Sequence, residues 1–120
     1  MKYANVKILG AISYARLPSY IKCLDLCITP HKVSPFTESL DPLKLYEYMS
    51  TGKPIVSTPC SGFRELPDLV SVAPDSRTFA KAIESSSQEQ GSKSAERIQW
   101  SREQTWRQRV ESVSRVLGWA

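Results

Sequence analysis

Apolar and polar positions divide this chain into short alternating runs and longer stretches at helical spacing, taken in turn. Asn5-Val6-Lys7-Ile8-Leu9-Gly10 alternates and ends on a glycine, which predicts a strand running into a tight turn. Leu17, Tyr20, Ile21 and Leu24 recur at helical spacing with Pro18 near the start, predicting a helix that closes at Asp25. Leu26-Cys27-Ile28-Thr29-Pro30 is a short apolar run that reads as a buried strand, and His31 to Leu40 reads as a polar loop. The block from Asp41 to Pro59 organises the rest. Asp41 suits an N-cap and Pro42 a first helical position, Leu43 to Thr51 carries good helix formers, and Gly52 stands where a left-handed stop is wanted. Pro54-Ile55-Val56-Ser57-Thr58 then predicts a buried strand of a parallel sheet.

Pro59-Cys60-Ser61-Gly62 is a turn-rich loop, followed by a short helical turn over Phe63 to Leu66 that Pro67 stops. Leu69-Val70-Ser71-Val72-Ala73 alternates as a fourth strand. Ser76 is expected to cap a helix whose apolar face is Phe79, Ala82 and Ile83, and the polar run from Ser85 to Ser92 ends it in an exposed loop. In the tail, Trp106, Val110, Val113 and Leu117 share one helix face, and Thr105-Trp106-Arg107-Gln108 has the capping-box pattern. Trp100, Trp106 and Trp119 are expected to anchor this terminal region to the core, and Arg102, Arg107, Arg109 and Arg115, interspersed with acids, to form a solvated face. Strands alternating with helices predict an α/β fold: a Rossmann-like parallel sheet of about four strands with flanking helices. In such sheets ligands sit beyond the carboxyl ends of the strands, here Gly10 to Ser13, Pro30 to Asp41 and Thr58 to Gly62.

Composition changes this picture only at the margins. A chain of 120 residues with 41% hydrophobic content permits one domain with a real core. A net charge of +4 suits an anionic ligand or an acidic membrane surface and is too weak to argue for nucleic acid, so no nucleic-acid partner is expected. Cys23, Cys27 and Cys60 make no even disulfide framework and no metal-ligand pair, so small buried thiols in a reducing cytoplasm are expected, with no metal and no cofactor. No apolar run approaches the ~20 residues that span a bilayer, and nothing at the N-terminus has the pattern of a secretion signal, so a cytoplasmic protein is expected.

The candidate chemistry lies at the start of the Leu43–Thr51 helix. Lys44 stands in its first turn and Glu47 one turn later on the same face. The free amides of a helix start, its dipole and Lys44 together favour an anion such as a phosphate. A carboxylate one turn deeper can accept from a vicinal diol such as ribose. The same spacing also fits an ordinary surface ion pair. His31, just beyond a strand end, is a weaker candidate for a ligand role.

Over almost its whole length the chain resembles the C-terminal, nucleotide-sugar-binding domain of GT-B-fold glycosyltransferases of the group 1 type. The resemblance rests chiefly on Pro42-Leu43-Lys44-Leu45-Tyr46-Glu47-Tyr48 closed by Gly52-Lys53-Pro54-Ile55-Val56. In order around that block come Asn5 to Gly10, Leu17 to Pro30 and Thr105 to Arg109. It implies a retaining enzyme that transfers a hexose from a UDP- or GDP-linked donor to a cell-surface glycan or similar acceptor. Glu47 would hold the ribose, and Lys44 with the backbone at Leu40 and Asp41 would face the diphosphate or sugar. Gly10, Ala11 and Ile12 would border the base. Where many relatives carry a second, sugar-touching glutamate this chain has Ser39, with Glu38 beside it. The family's first strands of this half and its N-terminal acceptor domain have no counterpart here. Residues 1–120 are therefore expected to be an incomplete C-terminal half, with residues 92–120 as a closing helical tail. No catalytic residue is assigned, activity is expected only alongside an acceptor domain, and the full enzyme could lie against a membrane. A non-catalytic nucleotide-binding or protein-interaction remnant is the competing expectation, whereas a receiver-like signalling domain lacks its acidic pair and strand-end aspartate.

Overall fold

The computed structural model describes residues 3–119. A 3-10 turn over Tyr14–Arg16 runs into helix α1 (Leu17–Lys22), then strand β1 (Cys27–Thr29), the short helix α2 (Pro35–Glu38) and helix α3 (Leu43–Thr51). Strands β2 (Ile55–Ser57) and β3 (Ser71–Val72) and helices α4 (Ser76–Ser87), α5 (Ser94–Arg102) and α6 (Trp106–Leu117) complete the chain. The expected α/β architecture is present: β1, β2 and β3 lie in that order, all parallel, with Cys27 opposite Ile55, Val56 opposite Ser71 and Ser57 opposite Val72.

The alternation of side chains along a strand explains which helix covers which face. Cys27 and Ile55 point toward Leu45 and Met49 of α3, with Ile21 of α1, Phe63 and Val70 closing one core. Complete burial of Leu45, Met49 and Phe63 stabilises the fold by about 1.5–3 kcal/mol each. Val56 and Ser71 point the other way, where the hydroxyls of Ser71 and Ser86 meet at 2.9 Å and α4 seals the sheet. On that face α4 does not cover β1, and Ile28 is 43% exposed.

The sheet has three strands rather than about four, because Asn5 to Gly10 is not a strand. Residues 3–11 are exposed throughout, and the described backbone bond there is a turn from Val6 N–H to the Tyr3 carbonyl. Alternation alone does not make a strand; a ladder needs a neighbour, and among the described residues no strand pairs with the outer edge of β1.

Two helix starts differ from expectation by one residue. α3 starts at Leu43 with Pro42 as the N-cap, so Asp41 is not the cap and Pro42 is not the first helical residue. Gly52 is the left-handed stop expected, at φ 71°. α4 is capped by Asp75 rather than Ser76, because its carboxylate accepts from two amides, Arg77 and Thr78, at 2.9 Å each. α2 lies inside the segment read as loop, held by a Ser34–Thr37 capping box. The expected box at Thr105 and Gln108 does open α6, with Thr105 N–H donating to Gln108 Oε1 at 3.0 Å.

The tail departs from expectation in its packing. Trp106, Val110, Val113 and Leu117 form a helix face but are all exposed, as is Trp119; Trp106 is 81% exposed and anchors nothing. Trp100 alone of the three tryptophans packs on the core, because α5 lies against α3 while α6 extends past it. Cys27 and Cys60 are buried as expected, and burial raises the Cys27 thiol to about 11. Cys23 is exposed instead, lying just past α1.

Arg97 on α5 is only 2% exposed. It donates through Nε to the Leu69 carbonyl at 2.8 Å, through Nη1 to the Gly52 carbonyl at 3.3 Å, and through both Nη atoms to Glu89 at 2.5 and 2.8 Å. The bonds from Arg97 hold the Glu89 carboxyl below its ordinary 4.5. A depressed folded pKa means this stabilisation is complete above the unfolded value and is lost as pH falls through the folded one. Unfolding followed by urea titration should show stability falling as pH drops from about 5.5 toward 3. Glu89→Gln should be less stable at pH 7 and show a shallower decline over that window; an unchanged slope would remove Glu89 from the acid response.

Candidate functional site

The parallel register sets the carboxyl ends of β1 and β2 side by side, with Thr29 opposite Ser57. Thr58 stitches the loops that leave them: its amide donates to the Thr29 carbonyl at 3.2 Å and its hydroxyl to the His31 carbonyl at 2.6 Å. His31 thus contributes backbone to the rim, and its side chain is exposed. Arg64, from the turn after β2, pairs with Glu38 at the end of α2 and donates to the Pro59 carbonyl at 3.3 Å. The two rim loops are joined by side chains as well as by the sheet.

Gly62 sets where α3 begins. Its φ is +84°, and a Cβ there would stand 3.2 Å from Cδ of Pro42 and 3.3 Å from Cδ2 of Leu45. The positive φ favours glycine at this position, and a Cβ would fit only if Pro42 and Leu45 gave way by a few tenths of an ångström. No side chain caps α3, so its first amides are open to another acceptor. Lys44 is exposed in the first turn and Glu47 half-buried one turn on. Among the described residues neither forms an ion pair.

Glu47 lines a cavity of about 160 Å³ with Ser50 and Thr51 of α3, Leu17, Pro18 and Ile21 of α1, and Tyr14. Tyr14 comes two residues after Ile12, and of residues 10–14 it alone lines the Glu47 cavity. Gly10 has φ +73° and open space around it, Ala11 is exposed and Ile12 half-buried. Leu40 and Asp41 lie at the α3 entrance, both exposed. Ser39 closes α2, its hydroxyl donating to the Phe36 carbonyl at 2.7 Å. The structure therefore brings Tyr14 to Glu47, leaves Gly10, Ala11 and Ile12 outside that cavity, and places Lys44 in the first turn of α3, just after Leu40 and Asp41.

Reading the residues in order missed a second cluster at the same entrance. Tyr46 donates its hydroxyl hydrogen to Oδ1 of Asp41 at 2.5 Å, and Arg109 of α6 donates to the Tyr46 oxygen at 2.5 Å and pairs with Oδ2 of Asp41 at 3.2 Å. The guanidinium also lies over the Tyr46 ring, 5.5 Å from its centroid, and that ring stacks on Trp100 at 5.6 Å. Burial first, then the bond to Asp41, raises the Tyr46 phenol above its ordinary 10, which keeps it a donor. With Leu43, Gln104 and Trp106 these groups line a cavity of about 360 Å³. Asp41 and Tyr46 are five apart and Arg109 sixty-three residues further on, so no local spacing announces the cluster.

The chain is thus a parallel α/β domain in which an uncapped helix start, an exposed lysine and a half-buried carboxylate in a cleft lie along one helix. Its relatives specify the class further. The chain belongs to the glycosyl transferases group 1 family, whose pattern matches residues 2–89. It is also 36% identical over 58 residues to a Bacillus subtilis (strain 168) protein named as a teichuronic acid biosynthesis glycosyltransferase, TuaH. That match takes in 48% of this chain and 15% of the relative. No solved structure gives a significant match. No helix among the described residues is long and apolar enough to cross a membrane.

The Gly62 contact yields a direct test of how this entrance is built. Gly62→Ala should lower stability by about 1–2 kcal/mol from the left-handed backbone alone. It should also displace the start of α3, moving the amide NMR signals of Leu43 and Lys44 more than those of β3. Unmoved signals at the α3 start would show that the close approach to Pro42 is not what sets the helix.

Proposed function

We propose that this chain is the donor-binding part of a retaining glycosyltransferase that takes a nucleoside-diphosphate hexose, UDP- or GDP-linked. The hexose passes to a cell-surface glycan or similar acceptor, a choice supported by the glycan pathway in the name of the TuaH relative. The observation that carries the reading is the layout of α3. An uncapped helix start with a free lysine leads, one turn on, to a half-buried carboxylate in a cleft shared with Tyr14.

Each residue then has a role set by its chemistry. The Leu43 and Lys44 amides, the backbone at Leu40 and Asp41, and the Lys44 ammonium receive the diphosphate. Glu47, acceptor-only when ionised, takes the two ribose hydroxyls. Gly10, Ala11 and Ile12 border the base, with Tyr14 closing the cleft beside Glu47. As the bond to the sugar breaks, negative charge grows on the leaving diphosphate, and fixed amides and a lysine stabilise that charge without reorganising. Ser39, the C-cap of α2, is assigned to the sugar end of the donor by this reading alone.

Two measurements test this. Calorimetric titration with UDP, GDP and ADP should detect binding of at least one, and Glu47→Ala should weaken it by about 1.5–3 kcal/mol, roughly 10- to 150-fold. Equal affinity in wild type and variant would take Glu47 out of the site. Transfer also needs an acceptor on a facing wall, since most of the rate advantage lies in positioning. The 120-residue chain alone should bind donor and transfer nothing, with transfer restored by an acceptor domain in the same chain or on a partner. Sugar transfer by the isolated chain would overturn this division of labour.

A further inference from the structure

One cation at the entrance to α3 has no role in that reading. Arg109 reaches across from α6 and, with the Tyr46 hydroxyl, occupies both carboxylate oxygens of Asp41. Asp41 stands two residues before the first amide of an uncapped helix. A carboxylate in that place has two ways to exclude a diphosphate. It can fold onto the free amides as a cap, and its charge repels an anion bound to them. The observed contacts prevent the first and offset the second, since the carboxylate is held by Tyr46 and Arg109 and caps nothing. With Arg109 balancing Asp41, Lys44 is left as the net positive charge of the entrance.

Resting on the donor-site reading above, we infer that Arg109 is a positioning residue of the donor site: it holds and neutralises Asp41 so that the α3 amides are free for the diphosphate. Arg109 touches no ligand in this arrangement. It acts through Asp41, and the effect falls on the charged part of the ligand only.

The test uses the full 120-residue chain and whichever of UDP, GDP and ADP binds it, compared with the matching nucleoside. Arg109→Gln should weaken the diphosphate by about 3- to 10-fold at low ionic strength, less at high salt, and leave the nucleoside unchanged. Arg109→Lys should retain most of the diphosphate affinity, because it keeps the charge. Adding Asp41→Asn to Arg109→Gln should restore binding, because the neutral amide no longer needs a counter-ion. A structural role for Arg109 would instead weaken nucleoside and diphosphate alike and would not be rescued at Asp41; either result overturns the inference. Undiminished diphosphate binding by Arg109→Gln overturns it alone, whereas failure of the wild type to bind any of the three nucleotides overturns the donor reading with it.

Discussion

The fold turns on one buried guanidinium. Taking Arg97 out of water is costly, and the cost is offset only because four acceptor atoms surround it: the carbonyls of Gly52 and Leu69 and both oxygens of Glu89. Those acceptors belong to the end of α3, the approach to β3 and the link between α4 and α5. One side chain thus adds a polar tie among segments that the hydrophobic core also joins. At the same glycine α5 itself comes close, since a Cβ there would fall 2.2 Å from the Ser94 hydroxyl at the start of α5. α3 is therefore fixed at its far end by Arg97 and at its near end by the approach of Gly62. Lys44 and Glu47 ride on a helix that is held at both ends.

What the sequence disclosed follows the range of the interactions involved. β1, β2, β3, α1 and α3 were legible because short apolar runs, proline boundaries and Gly52 are local signals. Asn5 to Gly10 carried an equally good alternation and is not a strand, because pairing depends on a neighbour that alternation cannot report. α2 was hidden by a capping box with threonine in place of the usual glutamate or glutamine. The caps of α3 and α4 each fell one residue from expectation, where a neighbouring side chain had a stronger partner than the helix or a better acceptor for it. Trp106 shows the limit of periodicity: its spacing with Val110 and Val113 defines an apolar face correctly but says nothing about whether anything covers it.

The site divides in the same way. Lys44 and Glu47 could be read one turn apart on a single helix, and the structure keeps them there without an ion pair between them. The company they keep could not be read. Tyr14 enters the Glu47 cleft from the loop before α1, and Arg109 meets Asp41 from the last helix of the chain. Fold-level logic located the rim through the carboxyl ends of the strands. Only the coordinates disclose that Thr58 and Arg64 sew its two loops together.

The attachment of α6 has a consequence of its own. This helix buries none of its residues, and its polar tie to the entrance runs through Arg109 to Asp41 and Tyr46, all on an accessible surface. Segments with so little burial open locally at small free-energy cost while the rest of a domain stays closed. If a docked Arg109 favours an anion at the start of α3, then thermodynamic reciprocity requires that the anion favour a docked Arg109 by the same factor. Filling the entrance would then slow amide exchange along the terminal helix, well away from any atom the ligand touches.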